Sequence, residues 1–302
     1  MYEQIASNKR KSIFLILFFL VLIFALVWAF GQLTDFGRYA IIPAAVLAVL
    51  MTWGSYYYSD KIALRVSRAR PVSKEEYPYL YNVVEGLAIA AGIPKPRCYV
   101  IDDTAPNAFA SGRNPENAVV VVTTGLLQKL NRAELEGVIA HELSHIKNYD
   151  ILVQTLAVVM VGVIVLLSDW IMRTFLWGGR GRRRSSSDRD SGNLGAILVI
   201  VALALAILSP IIAQLLRLAV SRKREFLADA DGAMLTRYPP GLASALRKLS
   251  ADREPLEAAN KATAHMYIIN PLKDLKRGGG AVAKLFSTHP PIEDRIAALE
   301  KM

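Results

Sequence analysis

The chain has 302 residues, 53% of them apolar by type, with a mean hydropathy of +0.30. That is too apolar for an ordinary soluble enzyme and too polar for a chain lying wholly in a bilayer. Thirty-six basic against 26 acidic residues give a net charge of +10, which suits nucleic acid, an anionic membrane surface or cytoplasmic anchoring of membrane helices. Cys98 is the only cysteine, so an intramolecular disulfide and a CxxC metal or redox site are both excluded. Disordered and collagen-like chains are excluded by composition. A membrane protein with a substantial water-soluble part is what remains.

Residues 13–33 carry no charge over 21 positions and follow Lys9, Arg10 and Lys11. That length crosses a hydrocarbon core of about 30 Å as a helix, and no A-x-A cleavage pattern follows it. A second apolar run, residues 39–58, ends in Tyr56, Tyr57 and Tyr58, which suit an interfacial aromatic belt. The two runs predict a transmembrane hairpin. Lys61, Arg65, Arg68 and Arg70 follow, so the positive-inside rule puts both the N-terminus and this segment in the cytoplasm. Apolar spacing at Tyr77, Leu80, Tyr81, Val84 and Leu87 predicts an amphipathic helix over 71–92. Short strands are predicted over 97–102 and 118–123, the second a β-branched run bounded by Asn117 and Gly125. Asn131 then opens a helix, with Glu134 three residues on to complete a capping box.

Two further apolar stretches, 151–167 and 194–216, flank a loop over 178–193. That loop carries Arg180, Arg182, Arg183, Arg184 and Arg189 against Asp188 and Asp190. If both stretches span, a basic loop lies on the far side, against the positive-inside tendency. From Arg217 onward the composition is soluble and mostly helical. The chain thus divides into an N-terminal hairpin (1–60), the first part of a catalytic domain (61–150), a second hydrophobic hairpin (151–220) and the second part of that domain (221–302). The fold class expected is α+β, predominantly helical.

The chemistry concentrates in His141-Glu142-Leu143-Ser144-His145, an H-E-x-x-H sequence. On a helix, positions i and i+4 share a face, so both imidazoles reach one Zn²⁺ and Glu142 meets the water there. Zinc lowers that water's pKa towards neutrality, and the glutamate accepts its proton. Two exposed histidines on a charged face are the alternative, but the apolar helical context of Leu135, Val138 and Ile139 makes unliganded histidines costly here. A catalytic site needs a third ligand. Glu225 is the best candidate, with Asp229 four residues on, on the same helical face, to hold a ligand histidine. Glu225 and His145 share a metal only if an even number of crossings separates them, so either both later stretches span or neither does.

These residues resemble the HtpX family of membrane-bound zinc metalloproteases, relatives of the CAAX prenyl proteases. The resemblance runs from the N-terminal hairpin through Asn107-Ala108-Phe109-Ala110-Ser111-Gly112 and the H-E-x-x-H helix continuing to Asp150. It then takes in the second hairpin, Ser221 to Asp229, and Thr288-His289-Pro290-Pro291 with Arg295. The one local departure is Ser111, where many relatives have threonine.

The family implies an integral membrane protein with a gluzincin-like cytoplasmic protease domain in the cell's inner or plasma membrane, one Zn²⁺ per chain, and polypeptide substrates, misfolded or damaged membrane proteins among them. It implies that Asp229 and Asp150 back the ligands, and that His289 stabilises the oxyanion or serves as a removable fourth ligand. It implies that Arg295 donates to the oxyanion or the substrate carbonyl. Asn107 and the strand with Ala118, Val119, Val120 and Val121 are implied as the wall that takes up extended peptide by β-augmentation. A narrow-specificity processing protease and a latent zinc-stabilised scaffold are the alternatives. The cluster Arg222, Lys223 and Arg224 sits at a membrane exit and suits anionic lipid, and nothing resembles a nucleic-acid-binding module.

Overall fold

The structure, a computed structural model, describes residues 2–32, 39, 41–160, 162, 221–259, 263–269, 271 and 290–302. The uncharged run near the N-terminus lies in one long helix, α1 (Tyr2–Gln32), packed against α2 (Ile41–Tyr57). Leu15, Phe19 and Ile23, each four residues apart, form its buried face, together with Ala48 of α2. The opposite face leaves Ile13, Phe14, Leu17 and Val21 uncovered, and α2 leaves Ile42, Val46, Val49, Leu50 and Trp53 uncovered. Contiguous exposure of that kind marks a surface meant for lipid or a partner. α2 bends by 71° into α3 (Ser59–Val66), and together the two have the length and composition of a broken span. Among the described residues no single helix is long and apolar enough to cross a membrane. The apolar run of α1 includes side chains at 26, 27 and 29–33 that lie outside the described set.

A four-stranded sheet follows, in the order β1-β2-β4-β3, from β1 (Arg70–Pro71), β2 (Arg97–Ile101), β3 (Ala108–Ser111) and β4 (Val119–Thr123). β2 pairs parallel with β4, and β1 and β3 pair antiparallel with their neighbours. Both faces are covered. Val120, Val122, Val100 and Ala110 join the core under α4 (Pro78–Ala91) and α6 (Arg132–Lys147), while Val119, Val121 and Phe109 pack against Ala63, Val158, Met266 and Tyr267. Burial on two faces explains why β4 reads as an unbroken valine run rather than an alternation. The Cys98 thiol of β2 is buried, which pushes it up to about 11 and leaves it an inert thiol at neutral pH.

The helix expected over 71–92 is shorter. Pro71 belongs to β1, paired with Tyr99, and α4 starts at Pro78, whose ring suits the first helical turn. Tyr77, ahead of that proline, is held out of the helical region at φ −130°, ψ 65°. Gly92 ends α4 with φ +69°, as expected of a left-handed cap. β3 is absent from the sequence reading: Ala-Phe-Ala-Ser is buried at every position and shows no period.

α5 (Thr124–Lys129) leads into α6, and α7 (Asp150–Met160) follows it. Ile151 to Met160 are enclosed by protein on every side, so the start of the third apolar stretch is core rather than lipid-facing. Its continuation, the fourth stretch and the arginine-rich loop lie outside the described residues. α8 (Arg222–Thr236), α9 (Pro239–Ala251) and α10 (Ile292–Leu299) close around α6.

Candidate metal centre

α6 begins as its sequence predicts. The Asn131 side chain accepts from Glu134 N at 3.0 Å while Glu134 Oε2 accepts from Asn131 N at 2.8 Å, a reciprocal cap that stabilises by about 1 kcal/mol. From Leu135 to Ile146 nearly every side chain is buried, because α6 is packed by β3, α4, α8 and α9. His141 and His145 fall one turn apart on its face towards α8. That helix comes in at backbone contact: a Cβ added at Gly232 would lie 3.0 Å from His141 N. Gly232→Ala is therefore expected to push α8 away from α6, lowering stability by about 1–3 kcal/mol and weakening metal uptake. A melting curve and a zinc titration on the variant check both.

The close crossing carries Glu225 and Asp229 of α8 to the two histidines. His141, His145 and Glu225 each offer one ligand atom, all within 4.8 Å of one another, and all three are buried. The Nε2 atoms of the two imidazoles face each other at 3.2 Å. Glu225 lies 3.5 Å from His145 Nε2 and 3.9 Å from His141 Nε2. Outside this triangle each Nδ1 meets a carboxylate: His141 Nδ1 is 2.9 Å from Asp229, and His145 Nδ1 is 2.8 Å from Asp150. Those contacts fix the tautomers, since an Nδ1–H given to a carboxylate turns the Nε2 lone pair inward. Two inward lone pairs and a buried carboxylate form a donor set for one cation.

The electrostatics separate the two histidines. Burial lowers the His141 pKa, against the pull of Asp229. Burial opposes an imidazolium at His145 as well, but the hydrogen bond to Asp150 and the charge of Glu225 outweigh it and hold the group at about 9. A proton and a metal thus compete for this place. Metal uptake must expel the proton, so apparent affinity is expected to rise about tenfold per pH unit and level off near pH 9. Affinities from chelator competition at several pH values test this, and a flat profile would exclude His145 as the competing group.

Glu142 is buried beside the cluster. Loss of hydration pushes its carboxyl up to about 7, with the charge of His145 and the Ala110 N–H acting in the other direction. Asp229 is held below the usual carboxylate range: burial works against ionisation, but Arg295 and His141 outweigh it.

The other expected site residues fall less simply. Arg295 is fully buried, and its guanidinium grips both oxygens of Asp229, at 2.8 and 2.7 Å, and the Ile268 carbonyl at 3.1 Å. It also approaches Glu225 at 3.6 Å. Three of its five N–H donors are thus bound within the protein, so it holds Asp229, and the remaining N–H groups face His141 and Glu225. Ala118, Val119, Val120 and Val121 cannot take up a strand, because β4 is hydrogen-bonded on both edges, by β2 and by β3. The edge strand beside the centre is β3, whose Ala110 N–H reaches Glu142. Asn107, at its start, donates to the Ile269 carbonyl at 2.9 Å, and Ala108 O accepts from Ile268 N. His289 lies outside the described residues. His265 is buried, with Nε2 3.4 Å from the Gln154 carbonyl, and is not among the clustered ligands.

The sequence reading missed Asn8 of α1 and gave Arg224 of α8 to anionic lipid, whereas Arg224 is buried and, with Asn8, holds the second oxygen of Asp150. It also missed Asp231, which accepts from Ser144 at 2.8 Å and Asn148 at 3.0 Å. Asn8 is 142 residues from its partner, beyond any local period, although a lone asparagine ahead of the basic cluster and apolar run was visible.

A family model described as Peptidase family M48 matches residues 73–302 of this chain. The chain belongs to that family. A Protease HtpX homolog of Dictyoglomus turgidum is 52% identical over 301 residues, covering 100% of this chain and 94% of that protein. One from Streptococcus uberis is 43% identical over 303 residues and covers both chains in full. A crystal structure of S. mikatae Ste24p matches with a TM-score of 0.48 and 22% identity, covering 99% of this chain and 66% of that one. The chain is thus a membrane-associated metalloprotease of the HtpX family, as its motifs led us to expect. The mostly helical fold with a small sheet fits that family. The metal that such a protease needs has a matching donor set in His141, His145 and Glu225.

Proposed function

We propose that this protein is an integral-membrane zinc endopeptidase whose active site faces the cytoplasm and which cuts misfolded or damaged membrane proteins in stress quality control. The observation that carries the reading is the pair of inward-turned Nε2 atoms, each backed by a carboxylate, beside a buried Glu142. Two imidazoles and one carboxylate suit zinc and leave coordination positions open. Zinc, when bound there, polarises a scissile carbonyl and makes water nucleophilic near neutral pH.

Glu142 is the general base. Buried beside the cluster, it takes the proton of the attacking water and afterwards delivers it to the departing amine nitrogen. Asp229 and Asp150 keep the histidines in the right tautomer, and Arg295 keeps Asp229 ionised. The substrate backbone lies extended beside the Ala110 end of β3, next to Glu142, since Ala108 and Asn107 at the other end are already bonded to Ile268 and Ile269. The family resemblance of its His-Pro-Pro setting supports His289 as oxyanion donor or removable ligand. The uncovered apolar rows of α1 and α2 support insertion of these helices in the bilayer. Lys9, Arg10 and Lys11, ahead of the uncharged run of α1, and the basic residues after α2 support a cytoplasmic catalytic domain.

The test is casein cleavage by detergent-purified full-length protein before and after metal removal. One zinc per chain is expected, with fragments lost on chelation and regained with zinc. Undiminished cleavage by demonstrably metal-free protein would overturn the reading.

A further inference from the structure

We infer that Asn8, in the N-terminal helix, is a positioning residue of the metal centre. It fixes Asp150, and through Asp150 the orientation of His145. The inference rests on the metal-centre reading above and goes beyond it by making α1 part of the catalytic apparatus rather than an anchor alone.

Asn8 is only 1% exposed, a polar residue on the same buried side of the helix as Ser12 and Leu15. Its Nδ2 donates to Asp150 Oδ1 at 2.5 Å and to the Asn148 carbonyl at 2.7 Å. Its Oδ1 accepts from the Arg224 guanidinium, which also reaches Asp150 Oδ1 at 2.9 Å. Asp150 then has its other oxygen, Oδ2, free for His145 Nδ1 at 2.8 Å. One amide thereby joins three stretches of chain: α1, the corner between α6 and α7, and the α8 turn that carries Glu225.

The corner itself needs holding. Tyr149 adopts φ +59°, a left-handed conformation that a non-glycine residue takes at a cost. Asn8 bonds the residue before it and the residue after it, and Lys9 lies over the Tyr149 ring at 4.5 Å. If the corner relaxed, Asp150 would swing and His145 would lose its tautomer-fixing partner. Only a side chain with both a donor and an acceptor at one end fits. Aspartate there would bring a second carboxylate against Asp150 and remove both donors, while alanine would leave the Asn148 carbonyl unpaired in a buried site.

The experiment compares full-length wild type, Asn8→Ala, Asn8→Asp and Asn8→Ser, with Leu17→Ala, on the uncovered side of the same helix, as control. Zinc affinity is read by chelator competition, ligand geometry by the visible spectrum of the cobalt-substituted protein, and turnover by casein kinetics resolved into kcat and KM. Asn8→Ala is expected to weaken zinc binding about 10- to 100-fold, alter the cobalt band and lower kcat with KM nearly unchanged. Asn8→Asp is expected to do worse, Asn8→Ser to fall between, and Leu17→Ala to match wild type. A folded Asn8→Ala with wild-type zinc affinity and cobalt spectrum overturns the inference. Should that variant not fold, the same result from Asn8→Ser overturns it. A wild-type protein that takes up no cobalt overturns the metal-centre reading and this inference with it.

Discussion

Full-length protein carrying Glu142→Gln should still hold one zinc per chain and cleave casein about 10²- to 10⁴-fold more slowly than wild type. The substitution keeps size and shape, so the packing of α6 against β3 and α8 is preserved. What disappears is the ability to take up a proton and release it again. Glu142 is suited to that cycle because burial disfavours its ionised form and so makes the carboxylate a stronger base than an exposed one. An exposed glutamate near its ordinary value would accept the proton reluctantly. The substitution also removes a negative charge facing His145 and Glu225. It leaves all three ligands in place, however, so zinc affinity should change little while turnover collapses. Wild-type turnover in a variant with full zinc content would rule out Glu142 as the proton carrier.

The parts of this centre that the sequence made legible are those written at helical spacing. His141, Glu142 and His145, the Asn131–Glu134 cap, and Glu225 with Asp229 each lie within about one turn of their partners, so a period of about 3.6 residues suffices to predict their shared face. Their meeting across α6 and α8 was inferred from the metal's need for a third ligand and not from any pattern. What stayed hidden depends on contacts between remote segments. The β-branched run at 118–123 predicts a strand, and β4 is one, but its place inside the sheet depends on β3, whose buried Ala-Phe-Ala-Ser carries no alternation. Arg295 shows the same limit. The resemblance points to it, but only the fold reveals that three of its donors are bound by Asp229 and the Ile268 carbonyl. Asn8 carried no chemistry-bearing spacing at all, and its role arises from a tertiary contact spanning nearly half the chain.

Arg295→Met is the substitution that separates the two roles open to that arginine. If it holds Asp229, as its geometry indicates, its loss leaves Asp229 buried beside Glu225 with no counter-charge, and breaking a buried ion pair from one side costs about 3–5 kcal/mol. For a protein of this size that lowers the melting temperature on the order of 10 °C. Metal affinity should fall as well, because a carboxyl relieved of Arg295 protonates more readily and no longer fixes the Nδ1–H of His141. The double variant with Asp229→Asn removes both charges together. It should regain much of the lost melting temperature, since no charge is left unpaired, while zinc affinity stays low because His141 still lacks its anionic partner. An arginine that served only the oxyanion would behave differently: Arg295→Met would keep its melting temperature and its zinc and lose kcat alone. That outcome would return Arg295 to the reacting atoms. The expected one places it behind the histidine, where it sustains the field in which His141 can bind metal.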